Sequence, residues 1–263
     1  MSQYSPLLTV MIAAVRKAGR QLSRDFGEVE QLQVSRKGPN DFVSAADLKA
    51  EQTLFEELSK ARPGYGFLME ERGVVEGSDK THRWIVDPLD GTTNFLHGFA
   101  HFAISVALER EKELVAGVVY DVAKNEMFWA EKGRGAFLND RRLRVANRTS
   151  LPDALVVTGM AAVNRVGAGK KKFIDEFDRV SGAVADVRRL GSAALDLAYV
   201  AAGRFDAYWE RNLGAWDIAA GAVLVREAGG FAREVDGGDF METGSVIATN
   251  ERLLPLLTKV VKG

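Results

Sequence analysis

Residues 84–95 read WIVDPLDGTTNF, an apolar run that leads directly into two aspartates, a proline and a glycine. The apolar start is typical of a short buried β-strand. We therefore predict Asp87 and Asp90 at the carboxyl end of a strand, which is the usual position of ligand sites in α/β sheets. A charged carboxylate in that position is costly unless it is paired or bound to a metal ion. The string therefore predicts a functional site.

A second acidic pair follows another apolar run. Glu70 and Glu71 come directly after residues 66–69, GFLM, which also have the character of a buried strand. Carboxylates repel phosphate unless a cation lies between them. Mg²⁺ prefers oxygen ligands and often bridges a protein carboxylate to a substrate phosphate. The two acidic clusters therefore predict a site for a hard divalent metal ion beside a phosphate.

The turn between the aspartates and the next element has the composition of an anion-binding loop. Pro88 stiffens the backbone, and Gly91 allows another backbone to approach closely. If a helix begins after Gly91, the amides of Gly91 and Thr92 point outward and form a cradle for an anion. Asp-Pro and Asp-Gly are also common in ordinary turns, so for those dipeptides alone a capped turn is the better interpretation. The full string over residues 87–94 favours the functional site.

The overall composition excludes several classes of protein. The 263 residues include 35 Lys plus Arg and 36 Asp plus Glu, and the resulting net charge of −1 argues against a general polyanion binder. There are no cysteines and only three histidines, which excludes disulfides, thiolate catalysis and Cys-ligated metal sites. The sequence contains no stretch long enough to span a membrane and no convincing signal peptide, so we predict a cytoplasmic protein.

Helix and strand patterns are interleaved along the chain. The first fifty to sixty residues are predicted to be helical, with a second helix that begins at Ser44, where Asp47 completes a capping box. Short β-prone runs dominate from there to about residue 158, and strands and helices alternate after it. This order predicts a layered α/β (α+β) architecture. We predict a single domain, residues 1–263, made of two closely packed halves that divide near residue 150.

Two long strings carry a resemblance to a known family. Residues 84–95 resemble the first signature of the inositol monophosphatase family, and residues 216–221 (WDIAAG) with 226–230 (REAGG) resemble its second. The Glu70–Glu71 pair resembles the acidic pair that precedes the first signature. The resemblance covers nearly the whole chain and is strongest to the bacterial SuhB-type members. It implies a layered αβαβα sandwich of the sugar phosphatase type and metal-dependent hydrolysis of phosphate monoesters.

The resemblance implies two to three Mg²⁺ ions per site. The implied ligands are Glu70, Asp87, the backbone carbonyl of Leu89, Asp90 and Asp217. Asp87 would bridge the first two ions, and Glu70 would also help to hold a third, weaker one. Paired metal ions suit this chemistry independently, since they stabilise the attacking and leaving oxygens and lower the pKa of a bound water. Attack by water needs no protein nucleophile, which fits a sequence without cysteine and without a serine in a nucleophile elbow.

Catalytic and substrate-binding residues follow from the same resemblance. Glu71 and Thr92 would orient the water that attacks phosphorus. The implied substrate-binding residues are Asp90, Gly91, Thr92, Thr93, Ala193 and Glu210. Without the signatures, Asp217 would be interpreted as a helix N-cap and Glu210 as a surface acid at the end of a strand. Both alternatives stay open at the level of the sequence.

Two other features have simpler explanations. His97 and His101 have the spacing of metal ligands on a helix, but Gly98 lies between them and no H-E-x-x-H pattern is present, so a zinc site is not predicted. Residues 167–172, GAGKKK, resemble a phosphate-binding loop but lack its first glycine and its Ser or Thr. We predict a solvated basic loop there.

The sequence leaves the substrate and the partners open. Thr93 and Asn94 stand where the related nucleotide and histidinol-phosphate phosphatases carry Lys, which favours inositol 1-phosphate as the substrate. The alternatives are a phosphatase for a sugar phosphate, fructose 1,6-bisphosphate, NADP or adenosine 3′,5′-bisphosphate. The resemblance also implies sensitivity to lithium and a homodimer. For SuhB-type members it further implies an accessory binding role in transcription and ribosomal RNA synthesis.

Overall fold

The N-terminal part of the chain forms two helices and a pair of strands. The computed structural model describes residues 4–28, 34–38 and 41–263, and the side chains of 34–38, 41–43, 162 and 163 lie outside that description. The elements are α1 (Pro6–Gly27), β1 (Val34–Gly38), β2 (Asp41–Ser44) and α2 (Ala45–Ala61). The antiparallel pairing of β1 with β2 shows that the prediction of a wholly helical region was wrong. The sequence Gly-Pro-Asn at 38–40 is a turn signal that favours a hairpin over a continuing helix.

Both long helices begin at a serine cap. Ser5 Oγ accepts a hydrogen bond from the backbone of the first turn of α1, and Pro6 occupies the first helical position, where no N–H is needed. At the start of α2, Asp47 Oδ2 accepts from the amide of Ser44 at 2.9 Å. The predicted capping box is therefore confirmed, and it fixes Asp47 in the first turn of α2.

The larger sheet has eight strands in the described residues, in the order β10-β9-β8-β7-β6-β5-β3-β4. β3 and β5 are parallel, and the other neighbours are antiparallel. The strands are β3 (Tyr65–Met69), β4 (Gly73–Val75), β5 (Asp79–Asp90), β6 (Ala103–Arg110), β7 (Glu113–Asp121), β8 (Glu126–Glu131), β9 (Gly135–Leu138) and β10 (Arg141–Arg142). A short helix, α3 (Thr92–Leu96), follows β5.

The smaller sheet has five strands in the described residues, in the order β12-β11-β13-β15-β14. β11 runs parallel to β12 and β13, whereas β15 is antiparallel to β13 and β14. The strands are β11 (Leu155–Thr158), β12 (Asp186–Arg188), β13 (Ala207–Glu210), β14 (Phe231–Glu234) and β15 (Val246–Thr249). The helices of this part are α4 (Gly167–Ser181), α5 (Ala193–Ala201), α6 (Ala215–Glu227), α7 (Phe240–Thr243) and α8 (Leu253–Lys262), with 3-10 turns at Leu151–Asp153 and Ala162–Arg165.

Helices and sheets alternate in five layers. α1 and α2 pack on the outer face of the larger sheet, α5 and α6 lie between the two sheets, and α4 and α8 cover the outer face of the smaller one. The predicted αβαβα fold is confirmed. The division into two halves near residue 150 stays a prediction. In the part of the chain that the structure describes, no helix combines the length and apolar character that crossing a membrane requires.

The central strand β5 is buried on both of its faces. Trp84 and Val86 belong to the core under α1 and α2, whereas Ile85 belongs to the core between the sheets. This explains the continuous apolar run, because a strand covered on both sides does not alternate with polar residues.

Helix α6 approaches the larger sheet unusually closely. A Cβ added to Gly117 of β7 would lie 2.6 Å from the carbonyl oxygen of Ala220 in α6, a distance that no side chain tolerates. Glycine at this position therefore permits the contact. The close approach brings the first turn of α6 toward the sheet, and with it Asp217.

Candidate active site

A bulge in β5 places two aspartates on one side of the sheet. The strand was predicted to end before Asp87, but it continues through Asp90. Asp87 pairs with Ser105 and Asp90 with Ala103, so β5 has one more residue than β6 over this interval. In a regular strand residues three apart face opposite sides, and the extra residue turns both carboxylates toward the same place.

Asp217 approaches from the first turn of α6. It is the third residue of that helix and its Oδ2 accepts a hydrogen bond from the amide of Gly214 at 2.7 Å. The alternative interpretation of Asp217 as the N-cap is therefore wrong, since Gly214 is the cap. Asp217, the second residue of the second signature, therefore has its carboxylate fixed by the backbone at the start of its own helix.

The three aspartates form one tight group. One oxygen each from Asp87, Asp90 and Asp217 lies within 4.8 Å of the others. Burial raises the pKa of all three carboxyls, that of Asp90 to about 6, and repulsion by the neighbouring acids raises the pKa of Asp87 and Asp217 further. Several carboxylates this close are stable as anions only beside a cation. An all-oxygen donor set fits Mg²⁺ better than a softer metal.

Two hydrogen bonds from α5 hold Asp90. Its Oδ2 accepts from Ser192 Oγ at 2.6 Å and from the amide of Ala194 at 2.7 Å. Ser192 is the N-cap of α5, and a carboxylate at a helix N-terminus is stabilised by the helix dipole. The start of α5, in the second half of the chain, therefore positions a carboxylate that belongs to a strand of the larger sheet.

The acidic pair after β3 lies beside this group. The amide of Glu70 donates to the carbonyl of Val86 at 3.2 Å, which places Glu70 next to Asp87 on the neighbouring strand. Its charge contributes to the raised pKa of Asp87. Among the described residues, the group within 4.8 Å does not include Glu70.

Glu71 is fixed by an acid that sequence reasoning missed. The buried Glu51 of α2 accepts from the amide of Glu71 at 2.8 Å through its Oε2, and its Oε1 lies 3.7 Å from Nε of Arg72. No local pattern marks Glu51, because in the sequence it occupies an ordinary position of an amphipathic helix.

Thr92 connects the loop to α2. Its Oγ1 lies 3.0 Å from the carbonyl oxygen of Leu89 and 3.1 Å from Oδ1 of Asp47. α3 begins at Thr92 directly after Gly91, as the cradle interpretation requires. Gly91 has φ +96°, and a Cβ there would lie 3.1 Å from the carbonyl oxygen of His101. Both the backbone conformation and the close approach require glycine.

A groove of about 720 Å³ opens beside the acids. One wall comes from the larger sheet and its loops, and the other from the smaller one. The lining residues are Glu70, Gly91, Thr92, Thr93, Asn94, Phe99, Met160, Arg165, Phe173, Arg189, Leu190 and Gly191. The side-chain amide of Asn94 donates to the carbonyls of Leu190 and His101, both at 2.8 Å, and so joins the two walls.

Comparison with known proteins identifies this arrangement. The model of the inositol monophosphatase family matches residues 3–262. The chain belongs to the inositol monophosphatase family. It is 62% identical to the inositol-1-monophosphatase of Mesorhizobium japonicum, over 98% of this chain and 97% of that protein. It is 42% identical to the Nus factor SuhB of Pseudomonas aeruginosa, over 98% and 96% of the two chains.

A solved structure agrees with the fold. The extragenic suppressor protein suhB from Bartonella henselae superposes with a TM-score of 0.94 and 53% identity, over 98% of this chain and 99% of that one. The predicted resemblance and the prediction of an enzyme, a phosphatase of the inositol monophosphatase family, are therefore confirmed.

In this family member the acid at the end of β13 is buried. Glu210 is 5% exposed, and its Oε2 accepts from the hydroxyl of Tyr208 at 2.8 Å. The interpretation of Glu210 as a surface acid is therefore wrong. Burial raises its pKa to about 7, despite the hydrogen bond from Tyr208. Ala193, the first residue of α5, is 6% exposed and lies one residue after the cap that holds Asp90.

Asp196 is a further acid that sequence reasoning missed. It is fully buried in α5, and neither carboxylate oxygen has a hydrogen-bond partner in the structure. Burial raises its pKa well above the usual range, and the charges of Glu210 and Asp90 raise it further. Its position in an otherwise apolar helix, AALDLAYVA, was the only signal in the sequence.

The remaining polar features lie apart from the aspartates. His97 caps the end of α3, and His101 is buried with its pKa lowered to about 4 by desolvation. Among the described residues, neither belongs to the acidic group. Residues 167–172 form the start of α4, so the prediction of a basic loop was wrong.

Proposed function

We propose that this enzyme hydrolyses inositol 1-phosphate to myo-inositol and phosphate with the help of Mg²⁺. The observation that carries the proposal is the group of Asp87, Asp90 and Asp217, with oxygens within 4.8 Å of one another beside a groove of about 720 Å³. The relative named inositol-1-monophosphatase, at 62% identity, supports the same substrate.

The chain offers donors for two to three metal ions. Asp87, Asp90 and Asp217 would hold them together with Glu70 and the carbonyl of Leu89. When bound, Mg²⁺ neutralises phosphate charge and lowers the pKa of a coordinated water. The buried hydrogen bonds to Asp90 and Asp217 fix these two carboxylates before any ion arrives, which lowers the cost of ordering them.

The residues of the chain then orient the reactants. Glu71 and the hydroxyl of Thr92 would hold the attacking water by hydrogen bonds. The water oxygen would form a bond to phosphorus and give up a proton through Glu71 to solvent, while the bond from phosphorus to the inositol oxygen breaks and the leaving oxygen takes up a proton from solvent. The backbone at Gly91, Thr92 and Thr93 would hold the phosphate oxygens. Glu71 is suited to its role because the buried Glu51 anchors its backbone.

The ring of the substrate would lie toward the smaller sheet. Glu210 and Asp90 would accept hydrogen bonds from ring hydroxyls, and the backbone of Ala193 would contact the ring. Tyr208 donates to Oε2 of Glu210 and so orients the carboxylate that would accept from a substrate hydroxyl. Pairing a buried carboxylate with a sugar hydroxyl gives strong discrimination, because a substrate without that hydroxyl leaves the acid unsatisfied.

The test is a substrate panel assayed for phosphate release. We expect Mg²⁺-dependent release from inositol 1-phosphate that Li⁺ inhibits. The panel also contains fructose 1,6-bisphosphate, NADP and adenosine 3′,5′-bisphosphate, which represent the alternative substrates. An assay without Mg²⁺ and with a chelator is the control. Absence of release from every polyol phosphate at saturating Mg²⁺ would refute the proposal.

A binding role in transcription is the second candidate. The relatives named Nus factor SuhB, such as that of Pseudomonas aeruginosa, favour it. We expect immobilised protein to retain transcription-elongation proteins in a salt-sensitive manner and Asp90→Asn, which removes the proposed phosphatase activity, to retain them equally. Equal recovery on a blank matrix would contradict this role. The homodimer and the cytoplasmic location stay predictions.

A further inference from the structure

We propose that a groove between α1 and α2 is a docking surface for an acidic amphipathic helix of a protein partner. The groove has a volume of about 710 Å³. Its lining residues are Lys17, Arg20, Gln21, Arg24, Leu48, Lys49, Gln52 and Thr53. This surface lies outside the candidate active site, and the inference does not depend on the proposed phosphatase activity.

The groove lies on the side of the two helices that faces away from the larger sheet. In α1 the buried residues Ala18 and Leu22 pack in the core that the helix shares with the sheet. The cations Lys17, Arg20 and Arg24 are exposed and project on the other side, as the period of 3.6 residues per turn requires. The groove is therefore open to a partner from solvent.

Helix α2 separates the groove from the active site. Asp47 lies on its inner side and accepts a hydrogen bond from the hydroxyl of Thr92. Glu51 lies one turn further on and accepts from the amide of Glu71. The groove residues of α2 follow these acids in the sequence and lie on its outer side, since a helix turns by about 100° per residue. Substitutions in the groove therefore leave the groups that would act on phosphate in place.

The groove carries cations without acids. Its eight lining residues include four cations and no carboxylate. The one acid within α1, Asp25, is only 8% exposed. Lys17 pairs with Glu57 at 2.6 Å, whereas Arg20 and Lys49 form no ion pair within the described ranges of the chain. Because the whole chain has a net charge of −1, this local excess of positive charge favours an anionic partner at this surface.

The groove also has an apolar part. Leu48 is 54% exposed there, and the aliphatic stems of Lys17 and Lys49 add to its apolar surface. Arg20 and Arg24 lie four residues apart on α1, which corresponds to about 6 Å along the helix. Acids four residues apart on a docked helix have the same spacing, and an apolar residue on the same face can cover Leu48. Charge, spacing and apolar surface therefore match an acidic amphipathic helix.

Two other occupants match the groove less well. A nucleic acid single strand binds through stacking on aromatic side chains as well as through cations, and the lining residues include no aromatic ring. A second copy of this chain in a two-fold contact would place the same cations against one another, which is unfavourable. The acidic helix is the occupant that satisfies both the cations and the exposed leucine.

The test measures the binding of a synthetic peptide to the enzyme by fluorescence anisotropy. The probe is a labelled helix of about four turns, with leucines on one face and glutamates on both sides of them. We expect saturable binding that weakens as the NaCl concentration is raised. A peptide of the same composition in scrambled order keeps the charge but has no apolar face, and it should bind about tenfold more weakly.

Variants assign the binding to the groove. In the double variant Arg20→Gln, Lys49→Gln the dissociation constant should rise about tenfold, the effect of two lost charges. Leu48→Ala should raise it roughly threefold, because it removes apolar contact area. The matched control Lys60→Gln, Lys112→Gln removes two exposed cations outside the groove and should leave the binding unchanged. Phosphate release should stay at the wild-type rate in all these variants.

Several outcomes would overturn the inference. Absence of saturable binding would do so, as would equal binding of the scrambled peptide. An equal loss in the control variant would show that the peptide responds to overall charge alone. A single-stranded RNA that binds more tightly than the peptide and is lost in the groove variant would replace the helix with a nucleic acid. A smaller sedimenting species in the groove variant would replace it with a second copy of the chain. None of these results affects the proposed function, which phosphate release tests separately.

Discussion

Replacing Asp87 with Asn is expected to reduce Mg²⁺-dependent phosphate release by about 1,000-fold and to raise the melting temperature of the metal-free protein. The loss of activity corresponds to about 4 kcal/mol, the size expected if Asp87 is the proposed ligand that would bridge two ions and stabilise transition-state charge. The melting temperature should rise because Asp87 is only 1% exposed and its buried charge is costly. The neighbouring acids Glu70, Asp90 and Asp217 also repel it. A single substitution therefore moves activity and stability in opposite directions.

The fold should survive this substitution. The Oδ1 of Asp87 accepts a hydrogen bond from the amide of Leu89 at 2.9 Å, and the side-chain oxygen of Asn can accept the same bond. Each kcal/mol of relieved repulsion should raise the melting temperature by roughly 2–4 °C in a chain of this size. Phosphate release and thermal unfolding in a chelator are the two measurements.

Asp140→Asn is the matched control. Asp140 is exposed in a turn, so this variant changes the net charge equally without touching the site. Its activity and melting temperature should equal those of the wild type. If Asp87→Asn retained near-full turnover, the metal assignment would be wrong. If it lowered the melting temperature of the metal-free protein, the buried repulsion would be absent.

Local sequence predicted the elements that carry the site but not the geometry that assembles it. The apolar run before Asp87 predicted a buried strand, and residues 84–95 placed both aspartates near a glycine turn. The bulge that turns Asp87 and Asp90 to one side depends on pairing with β6, whose register no local pattern specifies. The strand end was therefore placed four residues too early.

Contacts between distant segments were beyond sequence reasoning for the same reason. Ser192 lies 102 residues from Asp90 in the chain, and a serine before an Ala-rich helix predicts only a cap. Glu51 occupies a helix position that is ordinary in sequence and buried in the fold, and Asp196 is marked only by the apolar helix around it. The family resemblance supplied the proposed metal ligands, because whole signatures carry tertiary information that single residues do not.

The metal-free protein is expected to become less stable as the pH rises from about 4.5 to 7. Burial raises the pKa of Asp87, Asp90 and Asp217 in the folded protein, that of Asp90 to about 6, whereas the same groups titrate near 3.9 when the chain is unfolded. Between these values the folded state binds more protons than the unfolded state. The free energy of unfolding therefore falls with rising pH and is highest below the unfolded pKa.

Mg²⁺ should reverse this dependence, since a bound cation stabilises the ionised carboxylates. At about 100 times its dissociation constant the ion adds about 2.7 kcal/mol to the free energy of unfolding, which corresponds to a rise in melting temperature of roughly 5–10 °C near pH 7. The rise in melting temperature caused by Mg²⁺ should become smaller toward pH 4.5, because protonated carboxyls do not bind the ion. Thermal unfolding across this pH range, in chelator and in MgCl₂, measures both slopes, with NaCl of equal ionic strength as the control for screening. A melting temperature in chelator that rises with pH would show that the three aspartates do not repel one another in the folded protein. An equal response to NaCl would show that Mg²⁺ acts by screening and not by binding to them.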